Sequence, residues 1–177
     1  MPHFQTLPLG NWKKVCQLAG VTLIDPTDAP EKVISQIRGA RLIITEAMHG
    51  AIVADALRTP WIVVKPFAKK HHAKWYDWAE SLDLRLNWTT LWPSSIRELI
   101  LALAGTGATR LLRYRWLDSP PVSLVFAAIP RISAWKLKKV ARSASGQLSD
   151  EAALASATLR ARIALNDFIA SRSAKNL

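Results

Sequence analysis

Short apolar runs alternate with amphipathic segments between residues 11 and 104, and this alternation restricts the fold more than any other feature of the sequence. Residues 21–24, 41–45 and 60–64 are rich in Ile and Val, and each run is followed by a segment with helical spacing. Strands of this composition, each followed by a helix, are typical of a parallel sheet that is covered on both faces. The sequence therefore predicts an α/β fold with a Rossmann-like parallel sheet.

Helix start and stop signals separate these runs. Asp28 precedes Glu31 by three residues, which predicts a capping box, and Gly39 is a suitable end for the helix that follows. Ser94 or Ser95 is predicted to cap a helix that runs to Ala104. The remaining predictions for this part of the chain are helices over residues 11–18, 51–57 and 74–82 and a short strand over 84–86.

The charge of the chain is unevenly distributed. Of the net charge of +11, residues 1–107 carry +3 and residues 108–177 carry +8. This asymmetry predicts a Rossmann-like domain over residues 1–107, followed by a basic helical extension over 108–177. In the extension, we expect a basic segment over residues 108–116 and helices over 131–142 and from Ser149 or Asp150 to Arg172.

Composition excludes several classes of protein. Half of the residues are hydrophobic, which argues against wholesale disorder, and a single cysteine, Cys16, excludes a disulfide framework or a multi-cysteine metal site. The apolar run over residues 122–129 is shorter than a transmembrane helix requires, and the first residues lack the pattern of a signal peptide. We therefore expect a cytoplasmic protein with a buried Cys16 thiol, and the lack of a recognition motif argues against nucleic acid as a partner.

Residues 46–50 hold the most informative group of polar residues. They lie between the strand over 41–45 and the helix over 51–57, at the sheet edge where ligands of parallel sheets bind. Glu46 and His49 stand beside a predicted helix N-terminus, which favours an anion, and Gly50 would let the backbone approach a ligand. The alternative is a capping histidine and a surface glutamate without a ligand.

Cationic residues follow the third predicted strand. Lys65 comes directly after this strand, and Lys74 stands at the end of the loop that also contains Lys69, Lys70, His71 and His72. A positive loop beside a helix N-terminus suits phosphate or carboxylate, although a solvated basic loop is the alternative. The adjacent histidines lack a neighbouring carboxylate or cysteine pattern, so we predict no metal site.

Three motifs together resemble the polysaccharide pyruvyltransferase family. TEAMHGAIVADALRTP at residues 45–60, followed by WIVV, is similar to that family's Ser/Thr-x-Arg-Leu-His-Gly-Ala-like loop, helix and Pro-led strand. KWYDWAESLDL at 74–84 and LIDPTD at 23–28 resemble the branch that makes pyruvate ketals on exopolysaccharides such as succinoglycan. The resemblance extends over residues 3–84.

The resemblance implies two Rossmann-like domains in a glycosyltransferase-B-like arrangement, with the reaction in the cleft between them. It implies phosphoenolpyruvate as the donor, a hexose of a lipid-linked repeat unit as the acceptor, and no cofactor. Because the motifs match the family's second domain, the chain resembles the donor half of the enzyme. It would then be either a truncated form or one that a partner chain completes with the N-terminal domain.

The resemblance also implies roles for individual residues. His49 matches the family's site histidine and is expected to bind the donor and act as an acid, while Glu46 would orient His49 or accept a hydroxyl proton. Met48 and Gly50, which flank His49, are expected to bind substrate. Because Ala47 stands where many members have arginine, Lys65 and Lys74 are expected to neutralise the donor instead.

Two other functional classes compete with this interpretation. A nucleotide-sugar glycosyltransferase donor domain would share the fold, but no convincing acidic ribose-binding residue is present. A non-catalytic module would use its basic extension, in which tryptophans and cations lie near the apolar run over 122–129. These residues predict peripheral, salt-sensitive attachment to the anionic inner leaflet of the membrane: Trp116, Trp135, Arg131, Lys136, Lys138, Lys139 and Arg142.

Overall fold

A computed structural model of the chain describes residues 1–67, 72–105, 126–143 and 145–173. Two strands and seven α-helices are assigned in these ranges, together with a short 3-10 helix over Leu7–Leu9. In chain order the elements are α1 (Trp12–Ala19), α2 (Pro30–Arg38), β1 (Ile43–Thr45), α3 (Met48–Ala56), β2 (Trp61–Val63), α4 (His72–Ser81), α5 (Ile96–Ala104), α6 (Ile129–Ser143) and α7 (Glu151–Ser173).

A parallel βαβ unit forms the centre of the fold. β1 and β2 pair in parallel with Ile43 opposite Trp61, and α3 connects them. The pairing continues past the strand ends, because the Val64 N–H donates to the Thr45 carbonyl at 2.8 Å. This unit confirms the predicted α/β class, and its Ile- and Val-containing strands are buried as a parallel sheet requires.

Two further predicted strands are wrong, since residues 21–24 and 84–86 are not assigned as strands. On the edge of β1 that faces away from β2, the Ile44 carbonyl accepts from the Met1 amino group and the Glu46 N–H donates to the Met1 carbonyl. Met1 therefore occupies two hydrogen-bonding positions on this edge of β1, while residues 21–24 line the cavity beside the strand. At the other segment, Asp83 has a φ of +51° and the Leu84 N–H bonds back to the Ala79 carbonyl, which terminates α4 in a tight turn.

Of the two predicted helix caps, the one at α5 is confirmed and the one at α2 is wrong. Ser95 caps α5, since its hydroxyl accepts from the Glu98 N–H at 3.1 Å. The capping box predicted at Asp28 is wrong: Ala29 is the N-cap of α2, and Asp28 forms an ion pair with Lys32 at 2.8 Å. Proline at the first position of α2 starts that helix without a side-chain cap because its φ is already helical.

The hydrophobic core joins the strands to α1 and α6. Val15 and Cys16 of α1, Ile62 of β2 and Leu137 and Val140 of α6 belong to one buried cluster. The chain following α6 also contacts the sheet, because Gln147 forms an antiparallel bridge with Trp61 of β2. The basic helix α6 is therefore part of the core that surrounds the strands.

The described residues fall into two compact units. The first comprises the described parts of Met1–His72 and Asn87–Leu148, and the second those of Ala73–Leu86 and Ser149–Leu177. The boundary predicted between residues 107 and 108 lies outside the described residues, as do the predicted segment over 108–116 and residues 122–125 of the apolar run. Within the described residues, no helix has the length and apolar character needed to span a membrane.

Candidate functional site

The loop after β1 is shaped by Thr45. This residue is fully buried, its hydroxyl donates to the Ala47 carbonyl at 2.9 Å, and the same oxygen accepts from the Ala47 N–H at 3.0 Å. These two bonds hold the backbone in a tight turn directly before α3. Thr45 thus sets where the following residues stand. A threonine at the end of a buried strand is a sequence signal for such a turn.

The helix after this loop begins earlier than the sequence predicts. α3 starts at Met48, so His49 and Gly50 lie in its first turn and not in a loop before residue 51. The ring of His49 is exposed, while Gly50 is buried. The first N–H groups of a helix have no intrahelical partner, so the backbone of Met48 and His49 presents donors at the carboxyl end of β1.

Gly50 is required by close packing. A β-carbon at this position would lie 2.8 Å from the Thr45 hydroxyl oxygen and 2.7 Å from the Met1 sulfur, both too close for ordinary contact. The observed neighbours of Gly50 are therefore protein atoms from the loop and the N-terminal segment. The approach of a ligand to Gly50 stays a prediction.

Glu46 is held by the N-terminal segment. Its Oε2 accepts from the Thr6 hydroxyl at 2.6 Å and from the His3 backbone N–H at 3.0 Å. Its Oε1 is buried and has no hydrogen-bond partner among the described residues. The two bonds orient the carboxylate, and the second oxygen remains available to a donor. No hydrogen bond joins Glu46 to His49 in the described part of the chain.

Lys65 stands at the same end of the sheet as Glu46. Each residue comes just after its strand, and because β1 and β2 are parallel, both strands end at one edge. The Lys65 N–H donates to the Thr89 carbonyl at 2.9 Å, and its side chain is exposed. Glu46 and Lys65 are therefore brought together at the edge that the sequence predicts.

A cavity of about 610 Å³ lies beside β1, and both Glu46 and Lys65 line it. Most of its other lining residues are apolar, and α1, β1, α6 and the segment over residues 20–24 each contribute some of them. Gln36 also lines the cavity, and its Oε1 is buried without a partner among the described residues. A largely apolar cavity with a few oriented polar groups has the character of a small-molecule site. The sequence did not indicate Gln36, which stands alone on a predicted helix.

The remaining predicted site residues lie elsewhere. Lys74 is exposed on α4, in the second compact unit, and its part in donor binding stays a prediction. Lys69, Lys70 and His71 lie outside the described residues, and of His72 only the backbone is described. No group of three metal-ligating side chains occurs in the described ranges.

Cys16 lines the same cavity but is not poised for nucleophilic chemistry. Burial raises the pKa of its thiol, so the thiolate is disfavoured. The thiol is buried, as predicted.

Comparison with known proteins finds a similarity in this region. Residues 7–66 match the family described as polysaccharide pyruvyl transferase. The similarity to this family is therefore confined to one continuous segment of the chain. The matched residues run from the 3-10 helix through β1, α3 and β2 to the residue after Lys65, so they include the whole edge described above.

A curated relative supports the same family. The succinoglycan biosynthesis protein ExoV of Rhizobium meliloti (strain 1021) is 40% identical over 84 residues. Those residues are 48% of this chain and 27% of the relative, so the chain spans about a quarter of the length of the protein it matches. No solved structure matches the chain.

Proposed function

We propose that this chain contributes the donor-binding side of a polysaccharide pyruvyltransferase that transfers pyruvate from phosphoenolpyruvate to an exopolysaccharide sugar as a ketal. The observation that carries the proposal is the family match, which covers β1, the first turn of α3 and Lys65 in one continuous segment. The βαβ unit supports a Rossmann-like donor domain of the kind used in glycosyltransferase-B-like enzymes.

The proposed donor, phosphoenolpyruvate, has two anionic groups. Phosphoenolpyruvate carries a phosphate and a carboxylate, which require cations and aligned N–H donors. The first turn of α3 offers the free N–H groups of Met48 and His49, and Lys65 adds a cation at the same sheet edge. We propose Lys74 as a second cation, because Ala47 stands where many members of the family have an arginine.

The transfer needs one acid and one base. A hydroxyl of the acceptor adds to C2 of the enolpyruvyl group while the methylene carbon takes a proton, which gives a tetrahedral ketal phosphate. A second hydroxyl then displaces phosphate from C2 and closes the cyclic ketal, and each hydroxyl loses its proton. We assign proton donation to His49 and hydroxyl-proton acceptance to Glu46, whose Oε1 lacks a partner among the described residues.

We propose that the acceptor side is formed by sequence that corresponds to the part of the curated relative that this chain does not cover. The chain corresponds to about a quarter of its curated relative, and the transfer requires a second surface that holds the sugar. We propose a hexose of a lipid-linked repeat unit as the acceptor, presented at the cytoplasmic leaflet, with the acceptor domain supplied by further sequence or by a partner chain.

Binding of phosphoenolpyruvate tests the donor site directly. Calorimetric titration of the 177-residue chain is expected to show binding that His49→Ala abolishes and that Lys65→Ala weakens by at least about tenfold, because a charge-assisted contact contributes about 1.5–3 kcal/mol. Lys14→Ala is the matched control, since Lys14 is exposed on α1 and does not line the cavity. Equal affinities for wild type, His49→Ala and Lys65→Ala, or no binding by wild type, would contradict the proposal.

A further inference from the structure

The outward face of α6 carries basic side chains around two exposed apolar ones. Trp135 is 64% exposed and Ile132 is 44% exposed, although both side chains are large and apolar. The exposed cations on this helix follow the same helical spacing of three or four residues. We name these six residues the α6 stripe: Arg131, Ile132, Trp135, Lys138, Lys139 and Arg142.

The opposite face of α6 holds the helix in place. Ala134, Leu137 and Val140 are buried in the core cluster with residues of α1 and β2. Ser133 is fully buried, and its hydroxyl donates to the Trp92 carbonyl at 2.9 Å. The stripe is therefore presented by a helix whose rotation is fixed, and Trp135 cannot turn inward without unpacking the core.

The surroundings of the stripe are positive as well. α6 and α1, which pack together in the core, contain seven Lys and Arg residues and no Asp or Glu. Arg41 adds a cation at the end of α6, where its guanidinium donates to the Ala141 carbonyl at 3.3 Å. Lys139 lies 5.6 Å from the centre of the Trp135 ring, so a cation and an aromatic ring share one patch.

We propose that the α6 stripe docks this protein on an anionic lipid bilayer surface. Anionic headgroups complement the cations, and the headgroup region accepts the amphipathic ring of tryptophan and the side chain of Ile132. Nucleic acid would satisfy the cations but would leave Ile132 without an apolar environment. The inward face of α6 stays packed in the core, so the proposed contact uses only the exposed stripe. This docking does not depend on the proposed transfer reaction.

Vesicle co-sedimentation of the full chain tests the docking. We expect binding to vesicles that contain phosphatidylserine, weak binding to pure phosphatidylcholine, and release as salt increases. The triple variant Arg131→Gln/Lys138→Gln/Lys139→Gln should lower the partition coefficient by more than about tenfold, since each lost cation near an anionic surface costs about fivefold. Trp135→Ala should weaken binding several-fold without changing the net charge.

A control removes the same charge from elsewhere. Arg38→Gln/Arg85→Gln/Arg162→Gln takes three exposed cations from outside α6 and should leave vesicle binding within about twofold. Lys138→Arg/Lys139→Arg should retain binding, and circular dichroism checks that every variant is folded. Equal losses in both triple variants would overturn the proposal, as would equal binding to both vesicle types. Retention of short duplex DNA at physiological salt, with no retention of vesicles, would also overturn it.

Discussion

Glu98 is an almost fully buried carboxyl whose pKa is raised by desolvation. Hydrogen bonds from Trp12 Nε1 at 2.7 Å and from the Ser94 hydroxyl at 2.6 Å only partly offset this cost. Because the folded state holds this proton more tightly than the unfolded chain, the contribution of Glu98 to stability is full below the ordinary glutamate pKa. It is lost as pH rises through the raised value.

Glu98→Gln should therefore flatten the pH dependence of unfolding. We expect the free energy of unfolding of wild type, relative to the variant, to fall from acid to neutral pH, because wild type must bury a charge that glutamine lacks. Chemical denaturation at a series of pH values measures the difference. Parallel profiles for the two proteins would contradict the burial penalty.

Gly50 and Gly39 offer a matched pair of glycines at helix ends. Gly50→Ala is expected to destabilise the chain by about 1–3 kcal/mol, because its new methyl group meets the buried Thr45 hydroxyl and the Met1 sulfur. Gly39→Ala should be nearly neutral, since Gly39 has a φ of −81° and its nearest neighbour is 3.4 Å away. Thermal or denaturant unfolding measures both, and equal effects would show that packing at Gly50 is not the cause.

The predicted side-chain cap is present at α5 and absent at α2. Ser95→Ala is expected to cost about 1 kcal/mol or more, because the hydroxyl caps α5 and also donates to the Leu9 carbonyl at 2.6 Å. Asp28→Ala should cost less than about 0.5 kcal/mol, since it loses a surface ion pair only. Denaturant unfolding compares the two variants. A larger loss of stability for Asp28→Ala would show that Asp28 caps α2 after all.

At the scale of the whole molecule, stability is concentrated in the first compact unit. The buried cluster joins α1, β2 and α6 there, although these elements are far apart in the sequence. In the second unit, α7 is exposed along most of its length, including Leu159, Ile163 and Phe168, each more than half exposed. Little apolar burial therefore supports this helix, whose first turn is capped by the Asp150 carboxylate.

Local sequence signals predicted what depends on neighbouring residues. The alternation of apolar runs predicted β1, α3 and β2, and the adjacent Ser94 and Ser95 predicted a cap for α5, since these signals act within one turn or one strand. The motif around His49 carried the resemblance to the polysaccharide pyruvyl transferase family, because a loop motif consists of consecutive residues. Edge placement of Glu46 and Lys65 followed from parallel pairing alone.

Tertiary structure decided which segments pair and which surfaces remain exposed. Residues 21–24 have strand-like composition but are not assigned as a strand, whereas Met1 forms two hydrogen bonds with the edge of β1, and no local pattern indicates a contact over such a separation. The hydrogen bond from the Thr6 hydroxyl to the Glu46 carboxylate likewise joins residues forty positions apart. Consecutive residues thus indicated the α/β class of this part of the chain and the resemblance carried by the loop after β1. Tertiary packing decided the extent of the sheet, the orientation of the Glu46 carboxylate and the exposure of the α6 stripe. Each of these depends on contacts between residues that are far apart in the sequence, which a local pattern does not encode.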